Sequence, residues 1–586
     1  MPVPRSLMFP YEPLGPPSIK GQDIQDPGHI DIPISWTTQS MMPTPYLSAA
    51  FVAVAVLLLV VRRIFDSCRG IKHVPGPPSP SLLFGHDFEY ASQEEACSLE
   101  FRWMRKYGPT WRTRGAFGKD VLMTVDPKAM QHIMQKSGYN YTKKTTFIHS
   151  TWLLAGPGII SVLDKDHQRH RKIMNPAFSA AHLRGFLPLF QRIVGKLSDK
   201  WKGELLATGE LDALLNRWLS RATLDIIGEA AFNYDYDALD GGGRSPILKG
   251  YEDIFKDLDY HPNKAAVLFR ASWDYIPVPI LKLIRYIPVN PWPRVRGLNN
   301  LFREYGRRIL REQGSDVDME KKVPSKDILS ILIKANASED PKTRLDDEEI
   351  IAEMFTLTLA GHETTSSTLT FLFYELSRNP KYQARMREEI RGLRARVTAR
   401  GGNDFTIEDL DSLTLTMNAI KETLRLHPIV VGLPRIAEKD DVIPLSRPIA
   451  STSGEVITEI PIRRGQGIHL SFAGYQRLPE VWGPDPDTWN PDRFFHIEPG
   501  KQTNVGVFAN LMAFAAGVRA CIGWRFSLIE MQAFIAELVE NFQFDPPAEK
   551  VEIQRALSGV IFAMFPVIKG KADEGGAMPI RISLAQ

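Results

Sequence analysis

The sequence predicts a mainly α-helical body with small β-sheets, preceded by a single N-terminal transmembrane helix. Three observations carry this prediction. An uncharged apolar run extends from Tyr46 to Val61. An exceptionally long helical pattern runs from the acidic "DDEE" at Asp346–Glu349 to Pro380. Strand-like patterns, by contrast, are short and cluster at Thr110–Val125, Val456–Leu470 and the C-terminus.

Residues 1–45 are proline-rich with little apolar periodicity, and read as disordered or extended. Met41 and Met42 stand just before the apolar run, so a start there would make residues 1–40 a gene-model extension. The run is slightly short for a bilayer span. Ile64 and Phe65 lengthen its apolar surface, while the stems of Arg62 and Arg63 reach toward headgroups. Residues 46–65 are therefore read as an anchor, against the competing reading of a buried core helix. Arg62, Arg63, Arg69 and Lys72 follow the run rather than precede it. That order argues against a cleavable signal peptide and places the C-terminal side in the cytosol. Residues 66–80 form a basic, proline-rich hinge, stiffened by Pro75, Pro77, Pro78 and Pro80.

Residues 81–586 show no repeat, no second linker and no phosphate-binding glycine motif, and read as one body. The composition, 44% hydrophobic and 24% charged, is that of a globular protein. A net charge of +3 suggests no nucleic-acid partner. Cys68, Cys97 and Cys521 are too few and too scattered for a disulfide framework or a zinc set. Helices are expected at "EFRWMRKYG", over Asp212–Phe232, and through the long run, which is apolar on nearly all sides as a central helix should be.

Four short stretches carry candidate chemistry. In "FAAGVRACIG", residues 514–523, Gly517 permits a tight turn, Arg519 brings a cation near Cys521, and Gly523 allows close approach of a flat group. Trp524, Leu528, Met531, Ile535 and Leu538 then follow helical spacing, so a helix begins at or just after the cysteine. Its dipole would lower the thiol pKa, leaving nucleophile, redox centre, metal ligand or inert buried thiol as roles for the sulfur. In "AGHETT", Ala360–Thr365, Gly361 weakens a helix interior by about 1 kcal/mol. Glu363 and Thr364 interrupt an apolar run. The stretch reads either as a groove holding water or as an exposed polar turn. Glu422 and Arg425 lie three apart on one helical face, which alone reads as a weak surface pair. "NPDRFF", residues 490–495, places Arg493 among aromatics in a proline-rich loop.

In combination and in this order, these stretches resemble the cytochrome P-450 superfamily of haem-thiolate monooxygenases, specifically its microsomal, fungal-type members. The haem-binding pattern is complete at Phe514, Gly517, Arg519, Cys521 and Gly523, and the oxygen-activation pattern at Ala360, Gly361, Glu363, Thr364 and Thr365. The E-x-x-R pair is Glu422 and Arg425, with Pro491, Arg493 and Phe494 completing the following loop. The resemblance spans roughly Pro75 to Gln586. One departure is that "DHQRHRK" offers His167 and Arg171 where the family often has W-x-x-x-R.

The resemblance implies haem b, with Cys521 as axial thiolate and Phe514 shielding the sulfur. It implies that Arg171, Arg435, Arg519 and His167 meet haem propionates. It assigns Thr364 and Glu363 to oxygen and proton handling, and Glu422, Arg425 and Arg493 to a structural ion-pair cluster supporting the cysteine loop. The implied reaction is insertion of one oxygen atom from O₂ into a lipophilic small molecule of terpenoid, aromatic or xenobiotic class. With no flavin domain after the haem segment, electrons are expected from a separate NADPH–cytochrome P-450 reductase, with a cytochrome b-type donor contributing, at the endoplasmic reticulum membrane. Substrate-facing segments are expected at Phe147–Leu154, Phe355–Leu359, Ile429–Leu433 and Ser558–Phe562. The alternatives are a haem-thiolate isomerase or dehydratase, and a non-catalytic haem-binding protein.

Overall fold

The computed structural model describes residues 70–586, apart from 242–245, 258–260, 289–290, 316–326, 341 and 559–562. The N-terminal segment, the anchor at 46–65, Cys68, the start of the hinge and the end of the Ser558–Phe562 segment lie outside the described residues. Among the described residues no helix is long and apolar enough to cross a membrane.

The longest helix begins where the acidic pattern places it. Asp346 accepts a hydrogen bond from the Glu349 N–H at 2.8 Å, and Glu349 accepts one from the Asp346 N–H at 3.0 Å. This reciprocal cap satisfies two of the donors that a helix start leaves free. The helix runs Asp347–Arg378, 32 residues, or about 48 Å. Asn379 ends it, and Pro380 opens the next helix at a first-turn position that needs no N–H.

In chain order, helix α1 (Ser98–Tyr107) stops at Gly108, whose φ of 89° only glycine adopts readily. The hairpin β1 (Thr110–Arg114) and β2 (Asp120–Thr124) follows. Then come β3 (Tyr141–Lys143), α2 (Thr145–Ala155), α3 (Asp164–Met174), α4 (Leu187–Thr208), β4 (Leu211–Leu214) and α5 (Leu215–Phe232). The central bundle adds α6 (Trp292–Ser315), α7 (Asp347–Arg378), α8 (Pro380–Ala399) and α9 (Thr414–Leu426). Strands β5 (Gly432–Ala437), β6 (Asp441–Ala450), β7 (Val456–Ile462) and β8 (Gly467–Ser471) precede α10 (Trp524–Asn541). The chain closes with β9 (Phe542–Asp545), β10 (Ile553–Leu557), β11 (Met564–Ile568) and β12 (Pro579–Leu584).

The strands make one five-stranded sheet, ordered β1-β2-β8-β5-β3, and three small ones: β4-β12-β9, β6-β7 and β10-β11. The helix expected over Asp212–Phe232 starts at Leu215 instead. Leu211–Leu214 pairs with β12, a partner from the far end of the chain that local periodicity does not register.

Helix α7 is the core of the bundle, as its all-round apolar pattern requires. Phe371, Leu372 and Phe373 are fully buried. A Cβ on Gly361 would stand 2.8 Å from the Ile227 Cδ1 atom, so the glycine lets α5 lie close against α7. The groove expected at "AGHETT" does not come from a break: the helix is continuous there. Thr364 Oγ1 donates to the Ala360 carbonyl at 2.6 Å, satisfying the hydroxyl proton within the helix. Nor is the stretch an exposed turn, since His362 and Thr365 are buried and the others half-buried.

Candidate active site

The cysteine loop is shaped by Gly517. Its φ is 67°, and a Cβ there would fall 1.7 Å from the Met134 carbonyl oxygen. No other residue fits without moving that backbone. The loop closes through Cys521 N–H donating to the Phe514 carbonyl at 2.9 Å. Phe514 is itself buried and packs against Phe508, with ring centroids 6.1 Å apart. Gly523 caps α10, with Phe178 the nearest atom to a hypothetical Cβ at 3.9 Å. Cys521 thus precedes the capping residue rather than opening the helix. Cys521 is solvent-exposed, with the Arg171 guanidinium near its sulfur. Burial pushes its thiol up, opposed by the Gly523 N–H and the Arg171 guanidinium. The net direction is upward, against the lowering expected from a helix start.

Near the cysteine loop the structure assembles an unbalanced group of cations. Register in the five-stranded sheet sets Lys143 on β3 directly opposite Arg435 on β5. Like charges in that position repel. Both are buried; Lys143 donates to the Ile160 carbonyl, and Arg435 to the Pro434 carbonyl and, at 4.0 Å, to the Met134 Sδ atom. Arg519 Nη1 donates to the Val162 carbonyl at 3.3 Å, while its buried Nη2 has no partner. Arg171 reaches from α3 to the Ala520 carbonyl at 2.6 Å. His167, one turn earlier, is buried with Nδ1 2.8 Å from the Tyr139 hydroxyl, and Arg519 lies over the Tyr139 ring.

These groups depress one another. Burial and the Arg519 charge pull Arg435 down to about 9. Burial with Arg519 and Arg435 lowers Lys143 strongly. Burial with Arg519, Lys143 and Arg171 takes His167 down to about 3. Such an arrangement calls for an anion. Lys143 is absent from the sequence expectation because only strand register brings it beside Arg435. The "YTKK" stretch alone gives no sign of it.

Glu422 and Arg425 are not the surface pair that their spacing suggests. Both are fully buried. Arg425 bonds Glu422 through Nε at 2.7 Å and Nη2 at 2.9 Å, and also donates to the carbonyls of Gln476, Pro486 and Thr488. Glu422 also accepts from Arg493 Nε at 3.0 Å and from the Asn490 N–H at 2.8 Å. Gln476 extends this cluster by accepting from the Met512 N–H at 2.8 Å, just before Phe514.

On α7, Glu363 Oε1 lies 3.1 Å from His362 Nε2. His362 is buried, and its Nδ1 is 2.7 Å from the Thr358 carbonyl, so Nδ1 carries a proton. The buried Nε2 itself has no hydrogen-bond partner. His362 is a second residue that the motif alone did not single out. Of the expected substrate-facing segments, Phe147–Leu154 lies on α2 and Phe355–Leu359 on α7. The Met564 N–H donates to the Ile429 carbonyl at 2.7 Å, joining Ile429–Leu433 to the C-terminal segment.

The cytochrome P450 family pattern matches residues 75–566. Cytochrome P450 monooxygenases 205 and 81 of Postia placenta are 31% and 32% identical, covering 92% and 91% of this chain and 97% and 96% of their own. Ganoderic acid synthetase CYP5150L8 of Ganoderma lucidum is 30% identical over 75% of this chain and 82% of its own. The residues present fit the haem such proteins hold: an accessible cysteine sulfur, and buried cations whose missing counter-charge two propionates would supply. The chain belongs to the cytochrome P450 family and is a haem-thiolate monooxygenase.

Proposed function

We propose that Cys521 would hold the haem iron through its sulfur, that Lys143, Arg435 and Arg519 with His167 would receive the propionates, and that Arg171 braces the cysteine loop through the Ala520 carbonyl. The carrying observation is the cross-strand Lys143–Arg435 pair, two buried cations that make no ion pair with a carboxylate, Glu353 acting on Lys143 only through its charge. Bound there, haem supplies the iron at which O₂ is reduced and one oxygen atom is passed to substrate. Cys521 must lose its proton to bind, and the Gly523 N–H and Arg171 stabilise the resulting thiolate. Thr364 Oγ1 already donates to Ala360, so its oxygen is left to accept a hydrogen bond and orient water. Glu363, half-buried one residue before Thr364, delivers protons to that water.

The substrate is a lipophilic small molecule. The buried apolar side chains of Leu153, Leu154, Phe355 and Leu357 support this. The relative named for ganoderic acid synthesis supports the terpenoid class in particular. Electrons come from a separate NADPH–cytochrome P450 reductase, with a cytochrome b-type donor contributing. Exposed Ile280, Leu283 and Tyr286, interleaved with the basic Lys282 and Arg285, support placement of the body at a membrane, that of the endoplasmic reticulum.

Reduced protein under carbon monoxide gives the red-shifted Soret band of thiolate ligation, and Cys521→Ser loses it. A histidine-type band in folded wild-type protein would sink the assignment. Products from a lipophilic panel, screened first by substrate-induced spectral shifts, identify the substrate.

A further inference from the structure

A second ionic cluster joins α3 to α7 behind the cations. His170 is fully buried. Its Nδ1 is 2.6 Å from Glu353 Oε1 and its Nε2 is 3.3 Å from Glu349 Oε1. An imidazole with a carboxylate oxygen on each nitrogen needs both of its protons, because ionised carboxylates only accept. Glu353 is fully buried on α7, and its Oε1 also accepts from the Ile159 N–H at 2.7 Å, in the loop between α2 and α3. Glu349 is held in turn by Arg169 at 2.5 and 2.8 Å. One proton therefore ties together a helix, a loop and the central helix. The same helix carries His167 and Arg171. The same loop supplies the Val162 carbonyl that holds Arg519.

We infer that His170 is a positioning residue of the haem site: as an imidazolium between Glu349 and Glu353, it locks α3 and the loop before it onto α7, and so sets His167 and Arg519, two of the groups that meet the propionates. The inference rests on assigning those groups to the propionates. The charged groups around His170 are Glu349 and Glu353 on α7, Asp166, His167, Arg169 and Arg171 on α3, and Lys143 on β3, which senses Glu353. Burial opposes the charge on His170, but the bonds to Glu349 and Glu353 raise it to about 9. Burial also pushes the Glu353 carboxyl up, against the His170 bond and charge and the Ile159 N–H, and its Oε2 has no partner, so the imidazolium is what keeps Glu353 ionised. With the folded value above the ordinary one, the lock is complete below about pH 6.5 and is lost as pH rises through about 9.

The test uses full-length holoenzyme as wild type, His170→Gln, Glu353→Gln and the double variant. Haem transfer to excess apomyoglobin is followed against pH, and amide exchange of the peptide containing Ile159 at one fixed pH. His170→Gln should lose haem roughly 10-fold faster and expose Ile159, because Glu353 is left buried without its counter-charge. The double variant should recover most of the loss, and should lack the wild-type acceleration of haem loss through about pH 9. A double variant no better than His170→Gln overturns the proposal, as does unchanged exchange at Ile159 in His170→Gln. Faster exchange with unchanged haem loss overturns the step from lock to cations. Failure of the propionate assignment itself shows separately, as unchanged haem loss in Arg435→Met.

Discussion

Two buried ionic groups in this protein look alike by composition and differ in how their charges close. Around Glu422, two arginines share one carboxylate, and the Asp485 side chain and five main-chain carbonyls take up the remaining donors. Around Lys143, Arg435 and Arg519, cations face one another with main-chain oxygens and an orphaned Nη2. The first group is complete within the chain. The second is complete only with an anionic ligand. Buried charge marks a binding site here when its partner is missing, not merely because it is buried.

The comparison breaks most visibly at the closed cluster. Glu422→Gln leaves Arg425 and Arg493 buried without their shared carboxylate, and should cost about 3–5 kcal/mol. Denaturant unfolding should show the loss with and without haem. Arg425→Met should behave similarly. Arg435→Met should do the opposite: haem-free protein keeps or gains stability, because an uncompensated buried cation is gone. Its haem loss should quicken by roughly 10–100-fold, the value of one charge-assisted hydrogen bond. A haem-free Arg435→Met protein as destabilised as Arg425→Met would erase the distinction. A smaller effect belongs to Thr364→Ala, which keeps the fold and haem but should lower product per NADPH by roughly 10-fold, with peroxide rising to match. Unchanged coupling would remove Thr364 from the reaction.

What the sequence shows of this comparison is uneven. Cys521, Arg519, Gly517 and the Glu422–Arg425 pair lie in short contiguous patterns, and the long helix is plain from its acidic start and Pro380. Arg425 at three residues from Glu422 does not disclose that both are fully buried, because spacing reports a shared face and not what covers it. Lys143 escapes notice because β3 is three residues long and meets β5 from a distant part of the chain. Glu353 escapes for a related reason: its partners, His170 and the Ile159 N–H, belong to another helix and a loop. The thiol of Cys521 was expected to be lowered by a helix start, but its position before Gly523 and its desolvation reverse the direction.

His167 supplies the finest test of the comparison, through pH. In the protein alone, burial, Arg519 and Lys143 hold its imidazole neutral down to about pH 3. An unfolded histidine takes up its proton near about pH 6.5. The unfolded state therefore binds more protons between those values, and stability falls as pH drops through the window. One proton limits the slope to about 1.4 kcal/mol per pH unit. His167→Gln should flatten the acid side of the haem-free stability curve by up to that slope. With propionates facing His167, the cations no longer oppose its protonation alone, so the same substitution should change the haem-loaded curve less. Equal flattening with and without haem would mean that His167 senses only the protein, and would move it from the open group of charges to the closed kind.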